Sequence, residues 1–234
     1  MVTLVVALGG SLLRPEVEDR NEWLINMVSI IKSRVMAGDR IGLVLGGGAP
    51  AREGIALAKS AIDELAKLDR VGIAATRLNA TIFREALSSQ GISISKLIPE
   101  TIDRAVLELE KYGLVVMGGT EPGHTTDTVA ISLAIEAGAR KCIIATNVSK
   151  VFAEDPKENP DSESFDRLTL TELQNIVGEP EHSGAGKSQV VDPIGVDKAL
   201  RHNIDLDILD GRDTDKIRKS LQGEEFDGTM VRGE

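Results

Sequence analysis

The sequence of 234 residues contains few cysteines, histidines and aromatic residues. Its single cysteine, Cys142, lies in the apolar run KCIIAT and cannot form a disulfide within the chain, so we interpret it as a buried structural thiol. The three histidines lack the spacing of a zinc site, so a metal site built by the protein alone is not expected. Because aromatic residues make up only 3% of the chain, the core must be aliphatic, which is typical of a parallel sheet packed between helices.

The sequence also lacks a basic region, a long apolar run and the pattern of a signal peptide. Its formal net charge of −10 argues against a nucleic-acid partner, because no basic face would release counterions. No apolar run approaches the roughly 18 residues that a membrane-spanning helix needs. We therefore expect a cytoplasmic protein with neither a nucleic-acid nor a membrane partner. An anionic ligand would need a local positive site or a divalent cation.

Short β-branched runs alternate with longer stretches of helical periodicity. The predicted strands lie at 2–8, 41–45, 114–117, 141–145 and 205–209. The predicted helices lie at 22–38, 51–68, 71–87, 101–113 and 126–138. This alternation predicts an α/β fold, a three-layer αβα sandwich with a mainly parallel central sheet, in a single domain of residues 1–234. We interpret the polar stretch 152–192 as a long functional excursion that contains one short helix capped by threonine.

Three predicted strands end in glycines that small or polar residues follow. They lie in VVALGGSLL (5–13), LVLGGGAPAR (43–52) and VVMGGTEPGHTTD (115–127), and we call residues 9–11, 46–48 and 118–125 glycine loops one, two and three. Glycine permits tight turns and close approach of a ligand, and a helix N-terminus attracts anions. Because parallel strands end at one edge of a sheet, the loops predict facing phosphate sites for a donor nucleotide and a phosphorylated acceptor. The threonines of GHTTD suit phosphate binding or simple helix capping, and both interpretations stay open.

Two other nucleotide motifs are present only in outline. The segment 46–51 fits G-x-G-x-x-A, the dinucleotide fingerprint, but the acidic residue downstream, Asp69, follows a helical stretch instead of ending a strand. GAGKS at 184–188 resembles the end of a Walker A loop, but Glu181 stands where that pattern requires glycine, and no strand precedes it. These departures argue against a dinucleotide fold and lead us to reject a P-loop fold, and Lys187 stays a candidate phosphate contact.

The chain resembles the amino acid kinase superfamily and, within it, the archaeal-type UMP kinases. The motifs that carry the resemblance are ALGGSLL, LGGGAPAR, DRVGIAATRLNA, MGGTEPGHTTD, TNVSKVFAEDP and VVDPIGVDKAL, in the order and spacing of the family. The resemblance implies transfer of the γ-phosphoryl group of ATP to UMP, which yields UDP in pyrimidine nucleotide biosynthesis, with Mg²⁺ as cofactor. It also implies a homohexamer, with subunit contacts through the helices at 22–38 and 51–68.

The resemblance assigns binding roles, position by position, to residues of this chain. Those implied to bind ATP are Gly9, Gly10, Ser11, Gly48, Arg52, Thr146, Asn147, Phe152 and Asp155. Those implied to bind UMP are Gly47, Asp69, Thr120, Glu121, Pro122, Gly123, His124, Thr125 and Thr126. Candidates for support of the transition state are Arg52, Lys187 and Asp192. No protein ligand to the metal is expected, so nucleotide phosphates and water would hold Mg²⁺.

The sequence departs from the superfamily at two positions. Ala7 stands two residues before the first glycine, where many members have a lysine, so Mg²⁺, Arg52, Lys187 or backbone amides must stabilise the transferring group. TNVSKV replaces the more common TNVDGV and adds Lys150 near the expected nucleotide. Two alternatives therefore stay open: a kinase of the same fold for isopentenyl phosphate, carbamate or an amino acid, and a nucleotide-binding regulator without catalysis.

Overall fold

The computed structural model describes residues 2–13, 19–156, 158–181 and 190–233. The strands of these residues are β1 (Thr3–Leu8), β2 (Arg40–Leu45), β3 (Leu114–Met117), β4 (Lys141–Thr146), β5 (Val151–Phe152), β6 (Ser164–Phe165), β7 (Arg167–Thr169), β8 (Asp205–Asp210) and β9 (Gly228–Arg232). The helices are α1 (Arg20–Met36), α2 (Gly48–Ala58), α3 (Leu65–Ser89), α4 (Ile102–Tyr112), α5 (Thr126–Glu136), α6 (Leu170–Val177), α7 (Pro193–His202) and α8 (Thr214–Gln222). A short 3₁₀ helix, Gly10–Leu13, follows β1.

Seven strands form the central sheet, in the order β3-β2-β1-β4-β8-β9-β7. The first five are parallel to one another, β9 is antiparallel to β8, and the edge strand β7 is parallel to β9. Strands β5 and β6 pair with each other in an antiparallel hairpin outside this sheet. The prediction of a mainly parallel sheet is confirmed. The five parallel strands end at one edge, which we call the carboxyl edge.

Helices cover both faces of the sheet because its central strands are apolar on both faces. In β1, Val5 and Ala7 pack in the layer of α4, α5, α6 and α7. Leu4, Val6 and Leu8 pack on the opposite side, with α1, α3 and α8. Every residue of β1 is buried, as expected of a strand in the middle of a parallel sheet. The three-layer αβα architecture is confirmed, whereas the single domain over 1–234 stays a prediction.

The predicted helix at 51–68 is wrong in its bounds. Helix α2 ends at Ala58, and one helix of 25 residues, α3, begins at Leu65 and includes Asp69. The break between them closes as a tight turn, in which the Ser60 hydroxyl donates to the carbonyl of Leu57 (2.8 Å). The apolar spacing of the sequence continues through this turn, so periodicity alone could not reveal it. Asp69 still lies in a helix, so the argument against a dinucleotide fold stands.

The stretch 152–192 carries β6, the edge strand β7 and helix α6. The predicted threonine cap of α6 is confirmed: the Thr169 hydroxyl accepts from the Glu172 amide (3.1 Å), and the Glu172 carboxylate accepts from the Thr169 amide (2.7 Å). Residues 157 and 182–189 lie outside the described part of the chain, and Lys187 is among them. Across the described residues, we find no helix with the length and apolar character to cross a membrane.

Candidate active site

Glycine loops one and two touch each other through their backbones at the carboxyl edge. A Cβ atom at Gly10 would overlap the backbone nitrogen of Gly48, and one at Gly48 would overlap the carbonyl oxygen of Gly10. Gly48 also has a φ of +59°, which residues with a side chain rarely adopt. The sequence explains these glycines by tight turns and by ligand approach. The structure adds a stronger reason, because the contact between the two loops excludes a side chain at both positions.

Side chains of helix α3 form hydrogen bonds with the backbones of loops two and three. The Asn79 amide donates to the carbonyls of Gly46 (2.7 Å) and Gly47 (3.1 Å), and its side chain is fully buried. One turn earlier, the Thr76 hydroxyl accepts from the amide of Gly119 (2.7 Å). The sequence analysis did not assign a role to either residue, although both lie in the motif DRVGIAATRLNA. The available signal was a pair of polar residues, three apart, on the apolar face of a helix.

Two further side chains of α3 bind loop three. The Asp69 carboxylate accepts from the amide of Gly123 (2.9 Å). The Arg77 guanidinium donates to the carbonyls of Gly119 (3.3 Å) and Thr120 (3.4 Å), and it pairs with Glu100 (2.9 Å). Loop three is therefore fixed to α3 near both of its ends. The role of Asp69 toward UMP stays a prediction.

Asp192 connects loop three to helix α7. One carboxylate oxygen accepts from the hydroxyls of Thr125 (2.7 Å) and Thr128 (2.6 Å), and the other accepts from the Ile194 amide (3.1 Å) and caps α7. The Thr125 hydroxyl also accepts from the Thr128 amide (3.3 Å), which caps α5. The capping interpretation of GHTTD therefore holds for Thr125. Asp192 is buried and organises two helix N-termini, and its part in catalysis stays a prediction.

A second carboxylate, Asp127, lies beside Asp192 in the first turn of α5. Burial and the neighbouring Asp192 carboxylate raise the pKa of Asp127 from 3.8 to about 7, although the backbone amide of Asp192 opposes the shift with a hydrogen bond. The sequence suggested only a first-turn acid at this position. Within the ranges that the structure describes, no group of three or more His, Cys, Asp or Glu side chains could hold a metal ion.

The end of β4 lies next to loop one. The Gly9 amide donates to the carbonyl of Ala145 (2.8 Å), and the Gly211 amide donates to the carbonyl of Thr146 (2.7 Å). The next residue, Asn147, is exposed, and the chain then enters the β5–β6 hairpin, which carries Phe152. The predicted neighbours of an adenine nucleotide therefore begin beside the first glycine loop.

The β5–β6 hairpin forms one wall of a cavity of about 250 Å³. Lys150, Phe152 and Asp155 line it on the hairpin side, and Ile176 and Val177 of α6 line it opposite. An apolar wall that faces an aromatic ring and a carboxylate suits the base and ribose of a nucleotide.

Lys150 does not extend freely toward a ligand. Its ammonium group pairs with Asp166 (2.5 Å) and Asp227 (3.1 Å), and these hydrogen bonds raise the pKa of Lys150. The lysine that distinguishes TNVSKV from the common motif therefore joins the loop after β4 to the rest of the molecule.

The remaining predicted residues lie on the same loops or outside the described chain. Ser11 is in the 3₁₀ helix after β1, and Arg52 is exposed on α2, one turn after Gly48. Within loop three, His124 Nδ1 lies 3.3 Å from the Glu121 carboxylate. Pro122 also lies in loop three, and Thr126 is the first residue of α5. Lys187 has no described position, and the binding roles of all these residues stay predictions.

Comparisons with known proteins agree with this geometry. A sequence profile of the amino acid kinase family matches residues 2–210. The chain is 36% identical to a uridylate kinase of Methanospirillum hungatei over 231 aligned residues. The alignment covers 99% of this chain and 95% of the relative. It is 38% identical to a uridylate kinase of Methanococcus maripaludis over 228 aligned residues, and that alignment covers 97% of this chain and 98% of the relative.

A solved structure shows the same similarity in three dimensions. The crystal structure of uridylate kinase from Archaeoglobus fulgidus superimposes with a TM-score of 0.83 at 35% identity. The match covers 97% of this chain and 99% of that one. The similarity therefore extends over the three glycine loops, the β5–β6 hairpin and the helices that position them.

Proposed function

The chain belongs to the amino acid kinase family, and from this membership we propose that it is a UMP kinase, an enzyme that transfers the γ-phosphoryl group of ATP to UMP and yields UDP. The observation that carries the proposal is the meeting of glycine loops one, two and three around α3, on three neighbouring strands. Relatives named uridylate kinase, similar over nearly the full chain, support UMP as the acceptor. The product UDP places the reaction in pyrimidine nucleotide biosynthesis.

Backbone amides and helix N-termini supply the positive field at the site. Helix α2 begins at Gly48 and α5 at Thr126, so the positive ends of two helix dipoles lie at the carboxyl edge. Loops one and two would hold the ATP phosphates, and loop three with Asp69 would hold UMP. Because Asn79 and Thr76 of α3 hold loops two and three side by side, donor and acceptor phosphates would lie end to end, as in-line transfer requires.

The reaction requires no catalytic base. The attacking phosphate oxygen of UMP is already ionised at neutral pH, so the protein has to position two polyanions and neutralise their charge. Ala7 is buried near the C-terminal end of β1, and that strand offers no cation at this position. Arg52 on α2 and the loop amides are therefore the described groups that would stabilise the transferring phosphoryl group.

Mg²⁺ is the cofactor that we propose for this reaction, and it would arrive with the nucleotide. Nucleotide phosphates and water would hold it, since no group of three or more His, Cys, Asp or Glu among the described residues could do so. Bound Mg²⁺ would supply charge neutralisation between the phosphates.

The proposal is tested by measuring UDP formation from UMP, ATP and Mg²⁺. We expect turnover with UMP and none with isopentenyl phosphate, carbamate or amino acids. Turnover with one of those acceptors instead would support the other kinase of the same fold. Binding of ATP and UMP without any turnover would identify a non-catalytic regulator.

We also propose that the enzyme assembles as a homohexamer. Large apolar side chains are exposed on the two helices that the sequence analysis assigns to subunit contacts, namely Ile25 and Met36 on α1 and Leu57 on α2. Burial of such side chains against a second copy would remove them from water. Light scattering coupled to size-exclusion chromatography tests this, and a monomer at micromolar concentration would contradict it. The cytoplasmic location stays a prediction.

A further inference from the structure

One buried hydroxyl group of the central sheet binds both strands of the β5–β6 hairpin. Thr229 lies in β9, next to β8, and its side chain is fully buried. Its hydroxyl accepts from the amide of Val151 (2.9 Å) and donates to the carbonyl of Phe165 (2.5 Å). Val151 and Phe165 are directly opposite each other in the hairpin. A single side chain of the main sheet therefore binds both hairpin strands at the same register position.

Ion pairs join the same two parts of the molecule at the surface. Asp227, two residues before Thr229, pairs with Lys150 (3.1 Å) and with Lys216 of α8 (2.6 Å). The Asp227 side chain is 59% exposed, so water and salt weaken these pairs. The hydroxyl of Thr229 is buried, and a buried amide that loses its hydrogen-bond partner lowers the free energy of unfolding. The hydroxyl of Thr229 is therefore a stronger connection than these ion pairs.

We propose that Thr229 is a positioning residue for the ATP side of the site and acts through Val151. Val151 lies between Lys150 and Phe152, and both neighbours line the cavity of about 250 Å³ that we assign to the adenine nucleotide. Without the hydroxyl, the Val151 amide has to find another partner, and the hairpin must shift to provide one. The wall that carries Phe152 then moves. This inference rests on the proposed use of ATP.

The test compares three variants of the full-length enzyme. Thr229→Val keeps the shape of the side chain and removes the hydroxyl, and Thr229→Ser keeps the hydroxyl. Ser220→Ala is the matched control, because it removes another buried hydroxyl, which donates to Asp207 (2.6 Å) and not to the hairpin. Calorimetry measures the affinity for the magnesium complex of a non-hydrolysable ATP analogue and, separately, for UMP. Steady-state kinetics then gives KM for each substrate.

We expect Thr229→Val to weaken binding of the ATP analogue and to raise KM for ATP by roughly tenfold, with UMP binding within about twofold of wild type. Thr229→Ser should restore the ATP affinity, and Ser220→Ala should leave it unchanged. Unchanged ATP affinity in Thr229→Val, equal weakening toward both substrates, or no rescue by serine would each overturn the inference.

A second variant keeps the test decisive if Thr229→Val does not fold. Asp227→Asn removes only the exposed ion pairs and should weaken ATP binding by no more than about threefold, since exposed pairs contribute little. A larger loss would show that the surface pairs, and not Thr229, position the hairpin. Wild-type turnover with UMP tests the proposed function alone, because it does not depend on the variants. ATP-analogue binding reports on Thr229 even if UMP is not the acceptor.

Discussion

The glycine loops and the β5–β6 hairpin both follow the carboxyl ends of parallel strands, but different contacts hold them in place. The glycine loops are held by backbone contact between loops one and two and by buried or partly buried side chains of α3. The β5–β6 hairpin has strands of only two residues each, and the buried hydroxyl of Thr229 and exposed ion pairs join it to the sheet. Packing of Val151 and Phe165 against the core and a backbone hydrogen bond from Met230 to Asp166 (2.9 Å) add to these connections. Loops one and two therefore touch each other backbone to backbone, whereas side chains make most of the hairpin's contacts with the sheet. We therefore expect substitutions in the loop backbone to have the largest effect and substitutions at the surface ion pairs of the hairpin to have the smallest.

Gly10→Ala is expected to have the largest effect, because it attacks the contact that holds loops one and two together. The new Cβ atom would overlap the backbone of Gly48, and backbone cannot move aside as a flexible side chain can. We expect about 3 kcal/mol or more of destabilisation and loss of activity. Thermal unfolding and UMP turnover measure both.

Gly72→Ala in α3 is the matched control for that substitution. Its Cβ would meet only the end of the Ile55 side chain, and alanine favours helix more than glycine does. We expect unchanged or slightly raised stability. If both variants behave alike, the loops are not held by backbone contact.

A pH experiment on Asp127 extends the comparison to the first turn of α5, which directly follows loop three. The pKa of Asp127 is about 7 in the folded protein, against an ordinary value of 3.8 for the unfolded chain, so the folded state binds more protons between these limits. The free energy of unfolding should therefore fall as pH rises from about 4 to 7 and stay low above that range. The coupling with Asp192 and partial exposure limit the total to roughly 1–3 kcal/mol.

Asp127→Asn should remove this part of the pH dependence. Without ligand or metal, the variant should equal wild type in stability near pH 4 and exceed it near pH 8, since the amide cannot ionise. Chemical denaturation at both pH values measures the difference. If the free energy of unfolding of the variant changes with pH as it does in wild type, Asp127 is not the source of the pH dependence.

Asp69→Ala separates the acceptor side from the ATP side. The carboxylate supports Gly123 in loop three and is assigned to UMP, so we expect KM for UMP to rise about tenfold while ATP affinity is kept. Asp63→Ala, an exposed acid before α3, serves as the control for loss of one negative charge. Equal loss of UMP and ATP binding would contradict the separation of the two sites.

Lys150→Met should have the smallest effect and tests the weaker connection of the hairpin. Methionine keeps most of the aliphatic stem and removes the pairs with Asp166 and Asp227, both of which are mostly exposed. We expect less than about 1 kcal/mol of destabilisation and a change in ATP affinity within about twofold. Calorimetry at about 0.05 M and about 0.5 M salt should show the difference shrinking as salt screens the pairs. A larger, salt-independent loss would mean that Lys150 touches the nucleotide.

Local patterns in the sequence predict much of this fold. The β-branched runs indicated the five parallel strands, and the glycines at their ends indicated the three loops. The boundary between α2 and α3 could not be predicted, because the apolar spacing continues through the turn at Ser60. The resemblance to a known family, and not the pattern, supplied Asp69 and Asp192 as candidates.

Contacts between distant segments account for what the sequence did not reveal. The amide of Asn79 meets loop two across 33 and 32 positions of the chain, and the hydroxyl of Thr229 meets Val151 across 78. The raised pKa of Asp127 depends on Asp192, which only the packing of α5 against α7 brings near. No local pattern contains these pairs, so only the assembled sheet could identify them.

The backbone contact between Gly10 and Gly48 also limits how the enzyme can be redesigned. A mutant library that varies residues 46–48 to accept a different monophosphate would consist mainly of proteins that cannot assemble the site, because there is no volume for new atoms. Codons for residues 120–124 offer more freedom, since this part of loop three is partly solvent-accessible. Laboratory evolution toward a new acceptor should therefore start there.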